Sequence, residues 1–350
     1  MLVPLHGHED LRRRLAAAVR RGALPASLAI HGPRGIGKQR LALWLGQLLL
    51  CEAGRDEPCG ACAHCRYAGV LAHPDLRWFF PRERLTTDAS PQEVQEHLAE
   101  AIAERVQAHG LYERPSGREA IHVATVRALV QLAVMTPTLA RRKVFIVGDA
   151  ERMVAQEGSD QAANAFLKLL EEPPADTTII LTTSEPGALL PTIRSRVIAL
   201  RATPLSDAEM RAFLDHPLVR EAVRPTADAV RLAAGAPGAL IGAESRAAAV
   251  EAARQLLEAA PKGRAAWSRA ALAVPAAQAR GFFTDVLDSL LLLLADRQRA
   301  ALAQQQATQA VSISEAIDAV ERAKERASNN ANPQLVAADL IPVLATAGAE

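Results

Sequence analysis

Apolar positions follow two regimes along this chain. Up to about residue 201, short continuous apolar runs alternate with stretches whose apolar residues recur at helical spacing. Beyond that point only the helical spacing persists. A short β-branched or aromatic run reads as a strand buried on both faces, and the three-to-four spacing reads as an amphipathic helix. Ser27–His31, Leu76–Phe80, Lys143–Val147, Thr177–Thr183 and Val197–Leu200 are the strand candidates. Between them Glu9–Arg21, Lys38–Leu50, Glu93–Gln107, Thr125–Val134 and Asn164–Glu172 read as helices. Gly22 and Pro25 stop the first, and Pro173-Pro174 halts the last. Strands separated by helices imply an α/β fold with a parallel sheet, and ligands of such sheets sit beyond the strand carboxyl ends.

The same pass divides the chain. Residues 1–201 carry the sheet. Residues 202–244 read as short helices with turns at Gly235 and Pro237-Gly238, forming a small lid. Residues 245–350 read as a larger helical domain, with Leu256-Leu257, Phe282–Leu294 and Val320–Ala327 among its segments. Residues 81 to about 120 are polar, with Pro and Gly at both ends, and read as an insertion without an assigned role. There is no internal repeat.

Composition narrows the class. The 350 residues carry a formal net charge of +1, so no global field favours nucleic acid or membrane. Arg12-Arg13-Arg14 and Arg141-Arg142-Lys143 read as solvated local clusters. The start lacks the layout of a secretory signal, and the longest apolar run, around Leu290–Ala295, is far short of a membrane span. A soluble cytoplasmic protein is expected.

Two motifs carry chemistry. Gly32-Pro33-Arg34-Gly35-Ile36-Gly37-Lys38-Gln39 lies between a strand and a helix. Gly32, Gly35, Gly37 and Lys38 match a phosphate-binding loop, whose backbone N–H groups and following helix face an anion. The next position should carry a hydroxyl that ligates magnesium, and Gln39 has none. The loop therefore keeps the shape of a nucleotide site while losing a metal ligand; a tight turn that binds nothing is the alternative. The second motif is Cys51 with Cys59-x-x-Cys62-x-x-Cys65. Without an export signal, metal is favoured over disulfides, and four thiolates suit structural zinc; free thiols or an iron–sulfur group are the alternatives. His64 could compete as a ligand, but four thiols complete the shell.

Two weaker signals follow. After the third strand comes Gly148-Asp149-Ala150-Glu151. An active ATPase of this class places an acidic pair there, and the natural alignment puts Gly148 in the first place and Asp149 in the second. A pairing offset by one, with Asp149 on metal and Glu151 as base, is less favoured; both acids as helix caps is a further reading. Arg194-Ser195-Arg196 sits on an expected one-turn helix before the last strand. A surface ion pair is the default for such arginines, but an arginine here could also serve a neighbour's γ-phosphate.

Together these residues carry a resemblance. Asn164–Pro174, Ser184-Glu185-Pro186 and Thr192–Arg196 look like a bacterial clamp-loader AAA+ subunit of DNA polymerase III, over residues 1 to about 242. The resemblance implies a RecA-like five-stranded sheet with a zinc knuckle, a helical lid and an all-α collar domain that joins a hetero-pentamer with gamma/tau and delta subunits. It implies action on a sliding clamp and primer-template DNA through that assembly, and no membrane. It makes Arg196 a trans-acting arginine finger, within a Ser-Arg-Cys pattern where this chain has Val197 for the Cys. It makes Cys51, Cys59, Cys62 and Cys65 zinc ligands. Gly235–Gly238 falls where a motor subunit has a phosphate-sensing arginine. The departures at Gln39 and Gly148 point to a non-hydrolysing stator member of the holoenzyme that still could hold ATP or ADP. An active gamma/tau-like motor and, from another class, a zinc-containing nucleic-acid-binding protein are the rival expectations.

Overall fold

The computed structural model describes residues 2–347 except 54–55, 83–88, 113–118, 154–159, 226–229, 232, 275–281 and 329–330. Among them, helix α1 (Glu9–Arg20) leads into strand β1 (Ser27–His31), the glycine loop and α2 (Lys38–Leu50). The cysteine segment follows and ends in α3 (Ala63–Gly69). Then come β2 (Leu76–Phe79), α4 (Pro91–Gln107), α5 (Val123–Val134), β3 (Lys143–Val147), α6 (Asp160–Glu171) and β4 (Thr177–Thr183). The one-turn α7 (Pro191–Arg194) precedes β5 (Ile198–Arg201).

The five strands form one parallel sheet in the order β2-β3-β4-β1-β5. This is the α/β class and strand number expected. The central strands are buried along their whole length because they are covered on both faces: every residue of β3 and of β4 is buried. Register sets Ala29 of β1 between Leu181 of β4 and Ala199 of β5. Strand β5 lies at the edge and is largely exposed, and it runs one residue later than the apolar run Val197–Leu200. At the other end of β3, the buried Lys143 ammonium donates to the Ala133 carbonyl at 2.7 Å and to that of Met135, satisfying the last carbonyls of α5.

Within the polar segment 81–120 the expected helix is present. Ser90 and Glu93 form a capping box and Pro91 occupies the first turn, so α4 starts two residues before the expected Glu93. Val94, Leu98 and Ala101 of α4 join the core that wraps the sheet. Helix α6 likewise starts earlier than Asn164, at Asp160.

The described residues fall into two compact units. The first comprises the sheet and its helices with α8 (Asp207–Leu214), α9 (Pro217–Ala222) and the segment Ala234–Ile241. The second contains α10 (Ala243–Ala259), α11 (Arg264–Ala273), α12 (Thr284–Ala303), α13 (Ala307–Ser328) and α14 (Pro333–Ala347). Its own core is built from Leu256, Phe283, Leu287, Leu290, Ile313, Val320, Leu340 and Ile341. Within that unit Lys324 pairs with Asp288 at 3.1 Å, tying α13 to α12. Among the described residues no helix is long and apolar enough to cross a membrane.

Candidate functional site

The glycine loop lies at the carboxyl end of β1, whose neighbours in the sheet are β4 and β5. Gly35 has φ 81°, a left-handed conformation in which only glycine is unstrained. It is pressed from outside by Gly238, whose N–H donates to the Gly35 carbonyl at 2.9 Å. A Cβ on Gly238 would sit 3.0 Å from the Gly35 Cα. The segment 235–238 thus reaches the loop through the backbone of Gly238 and the small side chain of Ala236. His8 closes another side, with Nε2 donating to the Ile36 carbonyl at 2.8 Å. Burial is the main reason its pKa falls below 6.5, which keeps the ring neutral.

Lys38 is buried, and its ammonium donates to the carbonyls of Gly32 (3.0 Å) and Pro33 (2.8 Å) and to Ser184 Oγ (2.9 Å). A lysine has three donors, and these three oxygens engage them all. Ser184 follows β4, so Lys38 links the loop to the neighbouring strand end.

Next to it, Gln39 crosses to the end of β3. Its Nε2 donates to Asp149 Oδ2 at 3.0 Å, and its Oε1 accepts from Trp78 Nε1 at 3.1 Å and the Tyr112 hydroxyl at 3.4 Å. A Cβ on Gly148 would lie 2.5 Å from that Oε1. Magnesium in this class of site needs a hydroxyl at position 39 and an acid after the third strand. The residues present do not fit it: an uncharged amide occupies the space where an acid at 148 would project, and Asp149 is already bonded to that amide. Glu151 turns the other way, with Oε1 accepting from the Ser184 N–H at 3.0 Å. Burial, then the nearby Asp149 charge, raises its pKa above 4.5.

The cysteines converge. One sulfur from each of Cys51, Cys59, Cys62 and Cys65 lies within 4.8 Å of the others. The Cys59 and Cys65 sulfurs are 3.9 Å apart, close to the roughly 3.8 Å that a tetrahedral Zn–S bond of about 2.3 Å implies. Backbone N–H groups of Cys59, Cys62 and Cys65 each donate to the sulfur of the preceding ligand at 3.3 to 3.4 Å. Such donors favour thiolate: the amides of Cys62 and Ala61 bring Cys59 down to about 6, whereas burial pushes Cys65 up. The donor set fits zinc, which would hold all four as thiolates and leave no open position. His64 is not part of it. Its Nδ1 faces His73 Nε2 at 2.8 Å, and its Nε2 lies 3.3 Å from Glu52.

The Asp75 carboxylate anchors the chain after α5, accepting from the N–H groups of Thr138, Leu139 and Ala140 at 2.6 to 2.7 Å. Burial works to raise its pKa, and these amides more than offset that, leaving it below the ordinary carboxylate value.

Arg196 lies on the turn after α7. Its Nε donates to Glu171 Oε2 at 3.2 Å and its Nη1 to the Thr192 carbonyl at 3.0 Å and Ser195 Oγ at 3.2 Å. Glu171 ends α6, so the arginine is held by the helix that precedes β4.

A family model described as DNA polymerase III, delta subunit, matches residues 7–206. The chain belongs to this family. Among its curated relatives is the delta-prime subunit of Pseudomonas aeruginosa, 34% identical over 210 residues, which cover 59% of this chain and 52% of the relative. That of Bacillus subtilis is 31% identical over 188 residues, 54% of this chain and 45% of the relative. The gamma/tau subunit of Mycobacterium tuberculosis is 31% identical over 209 residues, 59% of this chain but 29% of the relative. The matched part spans about half the length of the delta-prime relatives. A solved gamma-subunit-related protein of Thermotoga maritima covers 95% of this chain and 98% of its own at 17% identity, with a TM-score of 0.38.

The delta-subunit family match covers the loop, the knuckle and Arg196. Arg105, Trp78 and Tyr112, which sequence reasoning missed, also lie within the matched residues. Arg105 continues the buried stripe Val94, Leu98, Ala101 at helical spacing, and that was the available signal.

Proposed function

We propose that this chain is a non-hydrolysing delta-prime, or stator, subunit of the DNA polymerase III clamp loader. The observation that carries this reading is the amide of Gln39, seated against Gly148 and bonded to Asp149 where an ATPase needs a metal. The chain would hold the delta and gamma/tau subunits in register within a pentamer. Through that assembly it would support loading of the sliding clamp onto primer-template DNA in the cytoplasm. Residues 1–201 would form the AAA+ domain, 202–244 the lid and 245–350 the collar that joins the ring. Zinc at the four cysteines would be structural. Gly32, Gly35, Gly37 and Lys38 would accept ATP or ADP without splitting it.

Arg196 would then act in trans, stabilising charge on the ATP of a neighbouring motor subunit. Its place supports this: half-buried, fixed through Nε and Nη1, and on the turn before the edge strand β5. Glu171 would be its positioning partner.

Two measurements test the reading. The isolated chain should show negligible ATP turnover, and brisk magnesium-dependent turnover would favour a motor subunit instead. In a loader reconstituted with its gamma/tau and delta subunits, Arg196→Ala should lower DNA-stimulated ATPase several-fold while the assembly stays intact. An unchanged rate would remove the trans role.

A further inference from the structure

Helix α4 directs Arg105 from its buried stripe into an aromatic cage. The guanidinium carbon lies 3.4 Å from the Phe80 ring centroid, 3.9 Å from that of Tyr112 and 4.4 Å from that of Trp78. Its Nη1 is buried and has no hydrogen-bond partner among the described residues. A guanidinium removed from water is strongly disfavoured when it has no ion pair. Three ring faces recover part of that through cation–π attraction. Packing of α4 alone would be served better by a leucine, so the charge itself requires an account.

The cage is continuous with the position where a metal would bind. Trp78 and Tyr112, which hold Arg105, also donate to Gln39 Oε1. Gln39 in turn donates to Asp149. Burial works against the charged guanidinium of Arg105, and the carboxylate of Asp149 favours it.

We propose that Arg105 is an internal cation that replaces the metal ion beside the phosphate loop: it balances Asp149, orders the rings that fix Gln39, and excludes a divalent ion. This gives the segment 81–120 a function, and it rests on the reading of the loop as non-hydrolysing. Magnesium exclusion then has two parts, the missing ligands at 39 and 148 and the added charge at 105, and the second holds even when the first is repaired.

The test repairs the first part in the full chain. Gln39→Thr with Gly148→Asp restores a hydroxyl and an acid. ADP affinity, measured calorimetrically with magnesium and with EDTA, should still be the same in both. Adding Arg105→Met should make ADP bind roughly tenfold more tightly with magnesium than with EDTA, as expected for a restored carboxylate–hydroxyl site. Adding Arg105→Lys, which keeps the charge, should leave the two equal. A magnesium gain in the Gln39→Thr, Gly148→Asp chain alone would overturn the proposal, and so would no gain after Arg105→Met. Arg105→Gln is made alongside in case the methionine chain does not fold. The unaltered chain supplies an independent check by electron paramagnetic resonance of added manganese. It should show no bound ion that disappears in Asp149→Asn, and such an ion would overturn the proposal. None of these readouts involves Arg196 or other subunits, so failure here leaves the trans role standing.

Discussion

The side-chain amide of Gln39 fills the space in front of Gly148, where a Cβ would come within 2.5 Å of its Oε1 and 2.7 Å of its Cδ. The two departures from an ATPase pattern are therefore one packing arrangement. The larger side chain at 39 requires the absent side chain at 148. Gly148→Ala should destabilise the chain by about 1–3 kcal/mol through overpacking. Gln39→Ser in the same chain should recover most of that loss. A double-mutant cycle from urea midpoints should give a coupling above about 0.5 kcal/mol, and additive effects would separate the two positions.

Metal content distinguishes the four-thiolate site from one that includes histidine. The purified chain should carry one zinc by elemental analysis. Cys62→Ser should lose it and lower the melting temperature, because a closed site contributes folding energy directly. His64→Ala should keep it, since both ring nitrogens of His64 face other side chains. Loss of zinc in His64→Ala would show a mixed ligand set.

The loop after α5 hangs on one carboxylate. Asp75→Asn replaces an acceptor of three N–H bonds with a group that has one acceptor oxygen and two donors. A cost of about 2–3 kcal/mol is expected, measurable as a shift in urea midpoint at constant slope. The Asp75 contribution is present above its ordinary value of 3.8 and lost as pH falls through its depressed native value.

Histidines set the behaviour at milder acidity. His6, His8 and His73 are all held below 6.5, with burial the first cause in each. The unfolded chain binds protons there and the native chain resists them, so stability falls as pH drops below 6.5 until the native rings titrate. Glu151 acts in the opposite sense, because its carboxyl is raised above 4.5. The melting temperature should decline from pH 7.5 toward 5.5, and His8→Asn should make that decline shallower. Asparagine suits the left-handed φ of 60° at this position. An unchanged slope would remove His8 from this account.

The sheet was legible because each strand is a short apolar run that ends at Gly, Pro or a polar turn. Ser27–His31, Lys143–Val147 and Thr177–Thr183 needed no correction. The edge strand slipped by one residue because exposed Ile198 and Arg201 carry no burial pattern. The four cysteines were legible from spacing alone. Arg105 was legible only as a position on the buried stripe of α4; the rings of Phe80, Trp78 and Tyr112 that receive its guanidinium were not. The Gln39–Gly148 contact was legible as two separate losses but not as one fit.

Where Gly35 and Gly238 meet, neither partner has a side chain to absorb error. Most packed pairs can drift, one growing as the other shrinks, but two glycines already at minimum size have no such latitude. A side chain at Gly238 would press on the loop's main chain, and one at Gly35 would have to adopt a left-handed backbone. The mutational history of a turn late in the chain is therefore bound to that of one near its start.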